Sequence, residues 1–362
     1  MNFVTDYKSI IKRLENIDAI QYSNTRNYTD GAVTYLSPYI SRGVLSLPQV
    51  KEQILKSYSL QQADKLLQEL AWREYWQRVW QSKGGSIFSD LKQPQTNTLH
   101  HKMITAIENA DTGINAIDES IKQLYNTGYM HNHCRMYIAA IACNIGKAHW
   151  QQPSQWMYYY LLDGDLASNS LSWQWVAGSF SSKKYYCNQE NINKYCNGSQ
   201  QNTFLDTTYA SLTVLEIPEV LKATADFLFK TALPETNPII INKSLPTLIY
   251  NSYNLDPIWH GNENANRILL LEPSHFIKYP ISDKVMQFII NLSKNINGIQ
   301  IFVGEFDELF AIINTQNIFF KAHPAFMHYI GIAESYAYLF PQVEGYFSSF
   351  SAYYKMCQKY LY

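Results

Sequence analysis

The segments GYMHNHCRM, at residues 128–136, and LLDGDLASNSLSWQW, at residues 161–175, decide how the rest of the chain is interpreted. Together with the residues between them, they bring a guanidinium group, carboxylates, carboxamides, imidazoles and indoles into one stretch. Such mixtures line ligand sites, because aromatic rings supply contact area and a few polar groups fix orientation. The stretch therefore predicts a site for a large planar ligand.

Composition and charge narrow the class of protein. The 362 residues suffice for two domains, and 29 basic against 30 acidic residues exclude a polybasic binder of the histone-tail type. The five cysteines are an odd number without a C-x-x-C pair, which favours reduced thiols over disulfides, zinc or iron–sulfur clusters. We therefore expect no metal site.

The N-terminal sequence and the hydropathy pattern indicate the compartment. The first residues, MNFVTDYKSIIKRLENI, carry charges throughout and have no apolar core of a secretory signal. No uncharged run approaches the roughly 20 apolar residues needed to cross a bilayer. We therefore expect a soluble, cytoplasmic protein with no membrane partner, and a monomer.

Apolar spacing predicts helices along the first two-thirds of the chain. The predicted helices cover residues 1–21, 62–83, 103–125 with an interruption near Gly113, 129–145, and 153–162. Residues 22–43 are predicted to form a loop that leads into a short helix near Ser37. Hydroxyl and backbone N–H groups at such a helix start suit a phosphate, but a capped surface loop explains them equally well.

The helix over residues 62–83 carries a row of indoles. Trp72, Trp76 and Trp80 are spaced at i, i+4 and i+8, so they share one face, and this spacing is typical of core. Glu69 and Arg73 lie four residues apart and could form a surface ion pair. Glu69 also precedes Trp72 by three residues, which would place a hydrogen-bond acceptor beside a stacking surface.

The sequence changes character after residue 203, where tryptophan nearly disappears and β-branched runs begin. Short buried strands are predicted over residues 238–244, 267–273, 299–306 and 317–323, with a helix over 283–296. Alternating strands and helices indicate a parallel sheet. The predicted fold is mainly α: a helical domain over residues 1–232, then a smaller α/β domain with a short parallel sheet over 233–362, joined by a linker over 233–237.

The polar residues of the opening stretch leave two interpretations of its chemistry. Asp163 and Asp165 could act as general acid and base, or they could hold the polar edge of a ring beside Arg135. With Asn169, these groups supply the donors, acceptors and positive charge that an isoalloxazine ring needs. The alternative is an aromatic core with a buried ion pair. His131, one of two neighbouring histidines, has no predicted metal partner, and such residues are more often structural.

Five motifs in a fixed order extend the interpretation. The chain resembles the FAD-binding region of the DNA photolyase and cryptochrome family over about residues 20–200. The motifs are Y-x3-R (Tyr22, Arg26), TYLSPY-x3-G (residues 34–43), ELAWREY (residues 69–75), TGYMHN-x2-RM (residues 127–136) and LDGDLASN-x3-WQW (residues 162–175). Five motifs at compatible spacings are far more specific than any one of them.

The resemblance implies a helical domain that binds FAD bent into a U. The implied FAD-binding residues are Tyr22, Val33, Thr34, Tyr35, Leu36, Ser37, Arg73, Asn132, Arg135, Asp163, Gly164, Asp165 and Asn169. Trp173 and Trp150 match the inner two residues of the family's electron-transfer chain. The outer tryptophan has no counterpart, so either a tyrosine or another indole such as Trp156 replaces it, or photoreduction is slow.

The resemblance also implies a function, namely light-driven repair of cyclobutane pyrimidine dimers by electron transfer from reduced FAD, with damaged DNA as partner. The implied catalytic residues are Glu69, Asn132, Met136 and Asn169. The implied contacts to DNA or lesion are Arg26, Glu69, Trp72, His133, Met136 and Trp175. The pair Asn132 and Met136 is of the cyclobutane-dimer type, and His133 stands where the family commonly has an arginine.

Two alternatives and one hypothesis on domain order remain. A cryptochrome-like blue-light photosensor would bind FAD without repairing DNA, and a flavin-free helical interaction protein is a more distant possibility. Because the FAD motifs begin near residue 22, we expect the family's antenna domain to be missing in front of them. Residues 247–306 are faintly similar to its start, so we expect the α/β domain to be antenna-like and permuted to the C-terminus, with an unknown chromophore.

Overall fold

Helices form the first part of the fold. The computed structural model describes residues 2–235, 238–313 and 317–361. The helices of the first part are α1 (Tyr7–Glu15), α2 (Ala19–Thr25), α3 (Ser37–Ser41), α4 (Leu47–Ser57), α5 (Leu60–Lys83), α6 (Thr105–Glu108), α7 (Asn115–Thr127), α8 (Asn132–Ala140), α9 (Gln151–Tyr160), α10 (Leu166–Ala177), α11 (Gln189–Cys196) and α12 (Tyr209–Thr213). A π-helical turn (Ile141–Ile145) continues α8.

Local sequence signals explain where the long helices begin and end. A capping box opens α5, in which the Ser59 hydroxyl accepts from the Gln62 backbone and the Gln62 side chain accepts from the Ser59 backbone. Gly128 ends α7, with φ +72°. A Cβ at Gly128 would lie 2.5 Å from Leu162 Cγ, so glycine also permits close packing against the segment at residues 161–175.

Two predicted helices differ from the structure. The helix expected over residues 1–21 is divided, because Asn16 caps the end of α1 and the Asp18 carboxylate accepts from the Ile20 and Gln21 N–H groups to start α2. The helix expected over residues 103–125 begins instead with strand β1 (Met103–Ile104), which pairs antiparallel with β2 (Thr224–Ala225).

A parallel sheet forms the second part of the fold. Its strands are β3 (Thr247–Tyr250), β4 (Asn266–Leu271), β5 (Ile299–Val303), β6 (Ile318–Lys321) and β7 (Ile332–Glu334), in the order β5-β4-β3-β6-β7, and each neighbouring pair is parallel. The helices of this part are α13 (Pro273–Lys278), α14 (Asp283–Ser293), α15 (Phe306–Ile313) and α16 (Phe350–Cys357). Every residue of β3 and β4 is buried, as in a sheet covered on both faces. The predicted mainly helical fold with a parallel α/β part is confirmed.

The strand predicted over residues 238–244 is wrong. The residues form an irregular segment in which the Gln300 side chain brackets Ile240, accepting from its N–H and donating to its carbonyl. Ile240 is 82% exposed, unlike a core strand. The central strand is instead β3, which follows Pro246. A short apolar run alone does not identify a strand.

The two parts of the fold share buried surface. One hydrophobic cluster joins residues of α1, α4 and α5 to β3, β4, α14 and α16, and a second lies among α7, α8, α9 and α10. The division near residue 233 stays a prediction, and residues 236–237 of the expected linker lie outside the described ranges. None of the described helices is both long and apolar enough to span a bilayer.

Candidate functional site

A cavity of about 490 Å³ opens among α2, α5, α8, α9 and α10. Most residues that the sequence singles out line it. Those brought together are Tyr22, Arg26, Val33, Thr34, Tyr35, Ser37, Glu69, Trp72, Arg73, Asn132, His133, Arg135, Met136, Asp163, Asp165, Asn169, Trp173 and Trp175. Leu36, Gly164 and Trp150 do not line it, and all three are buried.

An ion pair at the cavity wall joins the segment at residues 128–136 to the segment at residues 161–175. Arg135 Nη2 donates to Asp163 Oδ2 at 2.9 Å, and Arg135 Nε donates to the Met130 carbonyl at 2.8 Å. Burial alone would raise the pKa of Asp163, but the Arg135 guanidinium outweighs it, with help from the Ser37 hydroxyl, and keeps the pKa below its ordinary value. Asp163 is therefore a carboxylate, and it forms an ion pair with Arg135 at the cavity wall.

Unpartnered polar atoms lie in the same wall. Asp163 Oδ1 and Ser168 Oγ are buried and have no hydrogen-bond partner of good geometry among the described residues. Both residues line the cavity. A buried polar group without a partner is costly, so these two atoms mark the places where a bound molecule would complete the hydrogen bonding.

The start of α10 is held by Asp165. Its Oδ1 accepts from the Ser168 N–H at 2.7 Å, and its Oδ2 accepts from Gln77 Nε2 on α5 at 2.6 Å. One turn further, Asn169 Nδ2 donates to the Ser154 carbonyl at 2.9 Å. Because both side chains are fixed on one helical turn, their remaining oxygen acceptors have defined positions at the cavity.

A second cation lies on α5. Arg73 Nη1 donates to Ser41 Oγ at 2.6 Å, and that hydroxyl in turn donates to the Asp163 carbonyl at 2.9 Å. Thr34 and Tyr35, which precede α3, and Ser37, its first residue, also line the cavity. A guanidinium group and hydroxyls in one wall suit a phosphate group.

Acidic, amide, thioether and indole groups meet at another part of the lining. Arg26 Nε lies 3.5 Å from Glu69 Oε1, and burial raises the pKa of Glu69 above its ordinary value despite that cation. Asn132 Nδ2 approaches Met136 Sδ at 3.8 Å, as expected for two residues on one helical face. Trp175 is 37% exposed here. The arrangement offers hydrogen-bonding and flat apolar surface together.

His131 and His133, in the segment at residues 128–136, hold the chain next to Arg26. The His131 ring contacts the Arg26 carbonyl through Nε2 at 3.0 Å and accepts from the His133 N–H through Nδ1. The His133 ring contacts the Asn27 carbonyl through Nδ1 at 2.6 Å. Burial, followed by the neighbouring His133, lowers the pKa of His131 to about 4, so its ring is neutral. Both rings therefore make structural contacts, although they also line the cavity.

The indoles of the predicted electron-transfer chain are buried. Trp173 is 3% exposed and lines the cavity, whereas Trp150 does not line it and donates from Nε1 to Asp90 Oδ1 at 2.7 Å. Trp156, the candidate replacement for the outer indole, donates from Nε1 to the Tyr125 hydroxyl at 3.0 Å. Its role stays a prediction.

Sequence reasoning missed part of the lining: Asn27, Trp76, Tyr129, His131, Ala139, Met157, Leu161, Ser168, Ser172 and Val176. The helical period would have found several of them. Ala139 continues the α8 face of Asn132 and Met136, and Ser172 and Val176 continue the face of Ser168. Among the described residues, no group of three or more histidine, cysteine or acidic side chains could hold a metal ion.

The chain is similar to known proteins in this helical region. Residues 66–237 match the family model described as the FAD binding domain of DNA photolyase. A deoxyribodipyrimidine photo-lyase of Synechococcus sp. is 30% identical over 169 residues, which is 44% of this chain and 35% of that protein. Cryptochrome DASH of Danio rerio is 30% identical over 169 residues, 43% of this chain and 32% of that protein. The match thus spans about a third of these curated relatives.

Solved structures give a partial likeness. A cryptochrome of Synechocystis sp. is 24% identical, with a TM-score of 0.49 over 54% of this chain and 44% of that one. A class III photolyase of Agrobacterium tumefaciens is 18% identical, with a TM-score of 0.43 over 60% of this chain and 52% of that one.

Proposed function

Since the chain carries the FAD-binding domain of the DNA photolyase and cryptochrome family, we propose that it is a light-dependent flavoprotein that repairs cyclobutane pyrimidine dimers in DNA. Reduced FAD, when bound and excited by light, would supply an electron that splits the cyclobutane ring, and the electron would return to the flavin afterwards. The single observation that carries the proposal is that Glu69, Trp72, Asn132, Met136 and Trp175 line the same cavity as the Arg135–Asp163 pair.

The chemistry of the wall fits FAD. In this proposal Arg135 faces the ring system and stabilises negative charge there, while Asp163 keeps Arg135 in place at 2.9 Å. Asp165 and Asn169 present oxygen acceptors from one turn of α10. Arg73 and Ser37 are the candidates for the phosphates. The unpartnered Asp163 Oδ1 and Ser168 Oγ support the assignment, because a ligand with many donors and acceptors can satisfy both.

The lesion would enter beside the flavin site. A flipped dimer needs flat surface and a hydrogen-bonding group for its base edges. Trp72 and Trp175 offer indoles, and Glu69 offers a carboxyl group that can hydrogen-bond the edge of a base. Asn132 and Met136 share α8 with Arg135, and all three line the cavity.

A blue-light photosensor is the second candidate, and one observation favours it. His133 stands where a DNA-contacting arginine is common in the family, and its Nδ1 is committed to the Asn27 carbonyl. A residue held in this way offers less to a phosphate than a free guanidinium group would. A photosensor would keep the flavin wall and would not restore the bases of a dimer.

Repair of a defined substrate separates the two candidates. Chemically reduced protein is illuminated with an oligonucleotide that contains one thymine dimer, and restored thymines are measured by chromatography. We expect restoration in the light and none in the dark. Glu69→Gln should keep its flavin and repair more slowly. A flavin-containing protein that leaves the dimer intact in the light would favour the photosensor, and a protein that cannot be loaded with FAD would exclude both.

A further inference from the structure

The C-terminal segment (residues 338–357) is fastened to the helix that forms one wall of the cavity. Glu74 of α5 is 1% exposed and accepts from the Leu339 N–H, from the Phe340 N–H at 3.1 Å and from the Tyr353 hydroxyl at 2.8 Å. These contacts bring the last helix, α16, against α5. The segment lies outside residues 66–237, which the family model covers.

One residue of this segment covers a side chain of the cavity wall. The Phe350 ring stacks on the Trp72 indole with centroids 3.7 Å apart and planes 10° apart. Phe350 is 7% exposed and is absent from the cavity lining, whereas Trp72 lines it. Phe350 therefore supports Trp72 from behind and does not obstruct the cavity.

Neighbouring rings complete the support. Trp72 also packs against Trp76, at 5.2 Å and 36°, and against Tyr75 edge-on at 5.8 Å. Phe350 is itself held between Tyr75 at 5.9 Å and Tyr354 at 5.4 Å. Because a close parallel ring contact fixes the plane of both partners, the indole plane of Trp72 is set mainly by Phe350.

We infer that Phe350 is a positioning residue, which holds the Trp72 indole in the plane that the cavity presents to a flat ligand. The inference rests on the proposed function for the identity of that ligand, a nucleobase of the dimer. It has a geometric consequence: one face of Trp72 belongs to Phe350, so the base meets the other face or the indole edge.

The spectroscopic test follows the orientation of Trp72 without flavin or DNA. Protein labelled with fluorotryptophan gives one fluorine resonance per indole, and Trp72→Phe identifies the resonance of Trp72. Phe350→Leu keeps an apolar side chain of similar size and removes the ring, so the Trp72 resonance should broaden or divide as the indole takes up more than one orientation; a change of position alone would follow from the lost ring current. Phe350→Tyr keeps the ring and should restore it. Phe350→Met replaces the leucine variant if that variant does not fold.

The matched control lies one turn away. Tyr353→Phe removes the hydroxyl that binds Glu74 and leaves the rings on Trp72 in place, so the Trp72 resonance should stay as in the wild type. If Phe350→Leu also leaves that resonance unchanged, or if Tyr353→Phe alters it as strongly, Phe350 is not the positioning residue.

Binding supplies the second measurement. The affinity of Phe350→Leu for a dimer-containing oligonucleotide should fall by about twofold to tenfold, the equivalent of one aromatic contact, with flavin content unchanged. Equal affinity of the two proteins would overturn the link to the ligand. A wild-type protein that does not prefer the dimer would refute the proposed function instead, and the fluorine spectrum would still decide the role of Phe350.

Discussion

Two regions of this molecule are built from the same kinds of side chain and have opposite outcomes. Among the helices, rings and charged groups surround a cavity of about 490 Å³. At the carboxyl edge of the sheet, rings and polar groups meet around a space of about 20 Å³. That space holds about one water molecule. Composition alone therefore does not distinguish a binding site from a filled crevice.

The filled crevice lies where parallel sheets commonly bind ligands. The strand order changes direction between β3 and β6, and a crevice is expected beyond the carboxyl ends of such strands. Here Tyr253, which follows β3, stacks on His323, which follows β6, at 4.4 Å and 13°. The Tyr253 hydroxyl also bonds the Tyr158 hydroxyl at 2.9 Å. The topology of the sheet predicts where a ligand crevice should lie, and the size of the side chains there determines whether a ligand can enter. The antenna-like character of this part stays a prediction.

The first prediction concerns the cavity among the helices. Asp163→Ala should abolish flavin binding and lower the free energy of unfolding by about 3–5 kcal/mol, because Arg135 loses its buried partner. Flavin released by denaturation and urea unfolding measure the two effects. Asp118→Ala is the control, since Asp118 is also a buried carboxylate, binds Thr112 and lies outside the lining. It should lose stability and keep flavin. Full flavin in Asp163→Ala would contradict the site.

The second prediction concerns the filled crevice at the carboxyl edge of the sheet. Tyr253→Ala should lower the free energy of unfolding by about 3 kcal/mol, because it leaves a void between the sheet and α9, with flavin content unchanged. Tyr253→Phe keeps the ring against His323 and removes only the bond to Tyr158, so it should cost about 1 kcal/mol. Loss of flavin in either variant would mean that the two regions are not functionally separate.

The third prediction separates an effect on flavin photoreduction from an effect on stability at a residue that lines the cavity. Trp173→Phe should largely block light-driven reduction of bound flavin and leave repair by chemically reduced protein largely intact. The change in stability should be modest, since a smaller ring replaces the indole. Trp80→Phe is the control, because Trp80 is equally buried, at 3%, and does not line the cavity. Unchanged photoreduction in Trp173→Phe would show that another route feeds the flavin.

The smallest effect is expected at the rim of the sheet. His260 contacts Glu263 through Nδ1 at 2.6 Å and Glu334 through Nε2 at 2.7 Å. Burial alone would lower the pKa of His260, but the two carboxylates raise it above the ordinary 6.5. The stabilisation is therefore complete below pH 6.5, as long as the carboxylates are ionised, and is lost as the pH rises through the raised pKa.

His260→Gln measures that contribution. The wild type should be more stable than this variant by less than about 1 kcal/mol near pH 6, since the group is partly solvated, and the difference should vanish at alkaline pH. Urea unfolding between about pH 5 and pH 9 gives the profile. Glu334→Gln should remove most of the same dependence. A difference that does not vary with pH would exclude this mechanism.

The site could be predicted further from the sequence than the sheet could. Many site residues lie close together in sequence on the same helix. The spacing of Asn132 and Met136, or of Asp165 and Asn169, therefore fixes which side chains share a face. The row of Trp72, Trp76 and Trp80 was predicted as core, and this is confirmed for the last two, at 6% and 3% exposed. Trp72 and Trp76 both line the cavity, but Trp72 is only partly buried.

The missed features depend on partners distant in sequence. Nothing near Ile240 indicates that Gln300 would bind its backbone in place of a neighbouring strand. Strand β7 and helix α16 were not predicted either. Neither the stacking of Phe350 on Trp72 nor the stacking of Tyr253 on His323 has a local signal, because each joins residues separated by scores of positions. The filled crevice could therefore not be anticipated.

The burial of Glu74 also bears on the order in which the protein is assembled. Its three hydrogen-bond donors come from Leu339, Phe340 and Tyr353, more than 260 residues further along the chain. During synthesis α5 emerges long before them, so this carboxylate must stay hydrated until the last segment arrives. The wall that Trp72 contributes is thus finished at the end of folding. We expect a nascent chain released before residue 338 to capture flavin poorly.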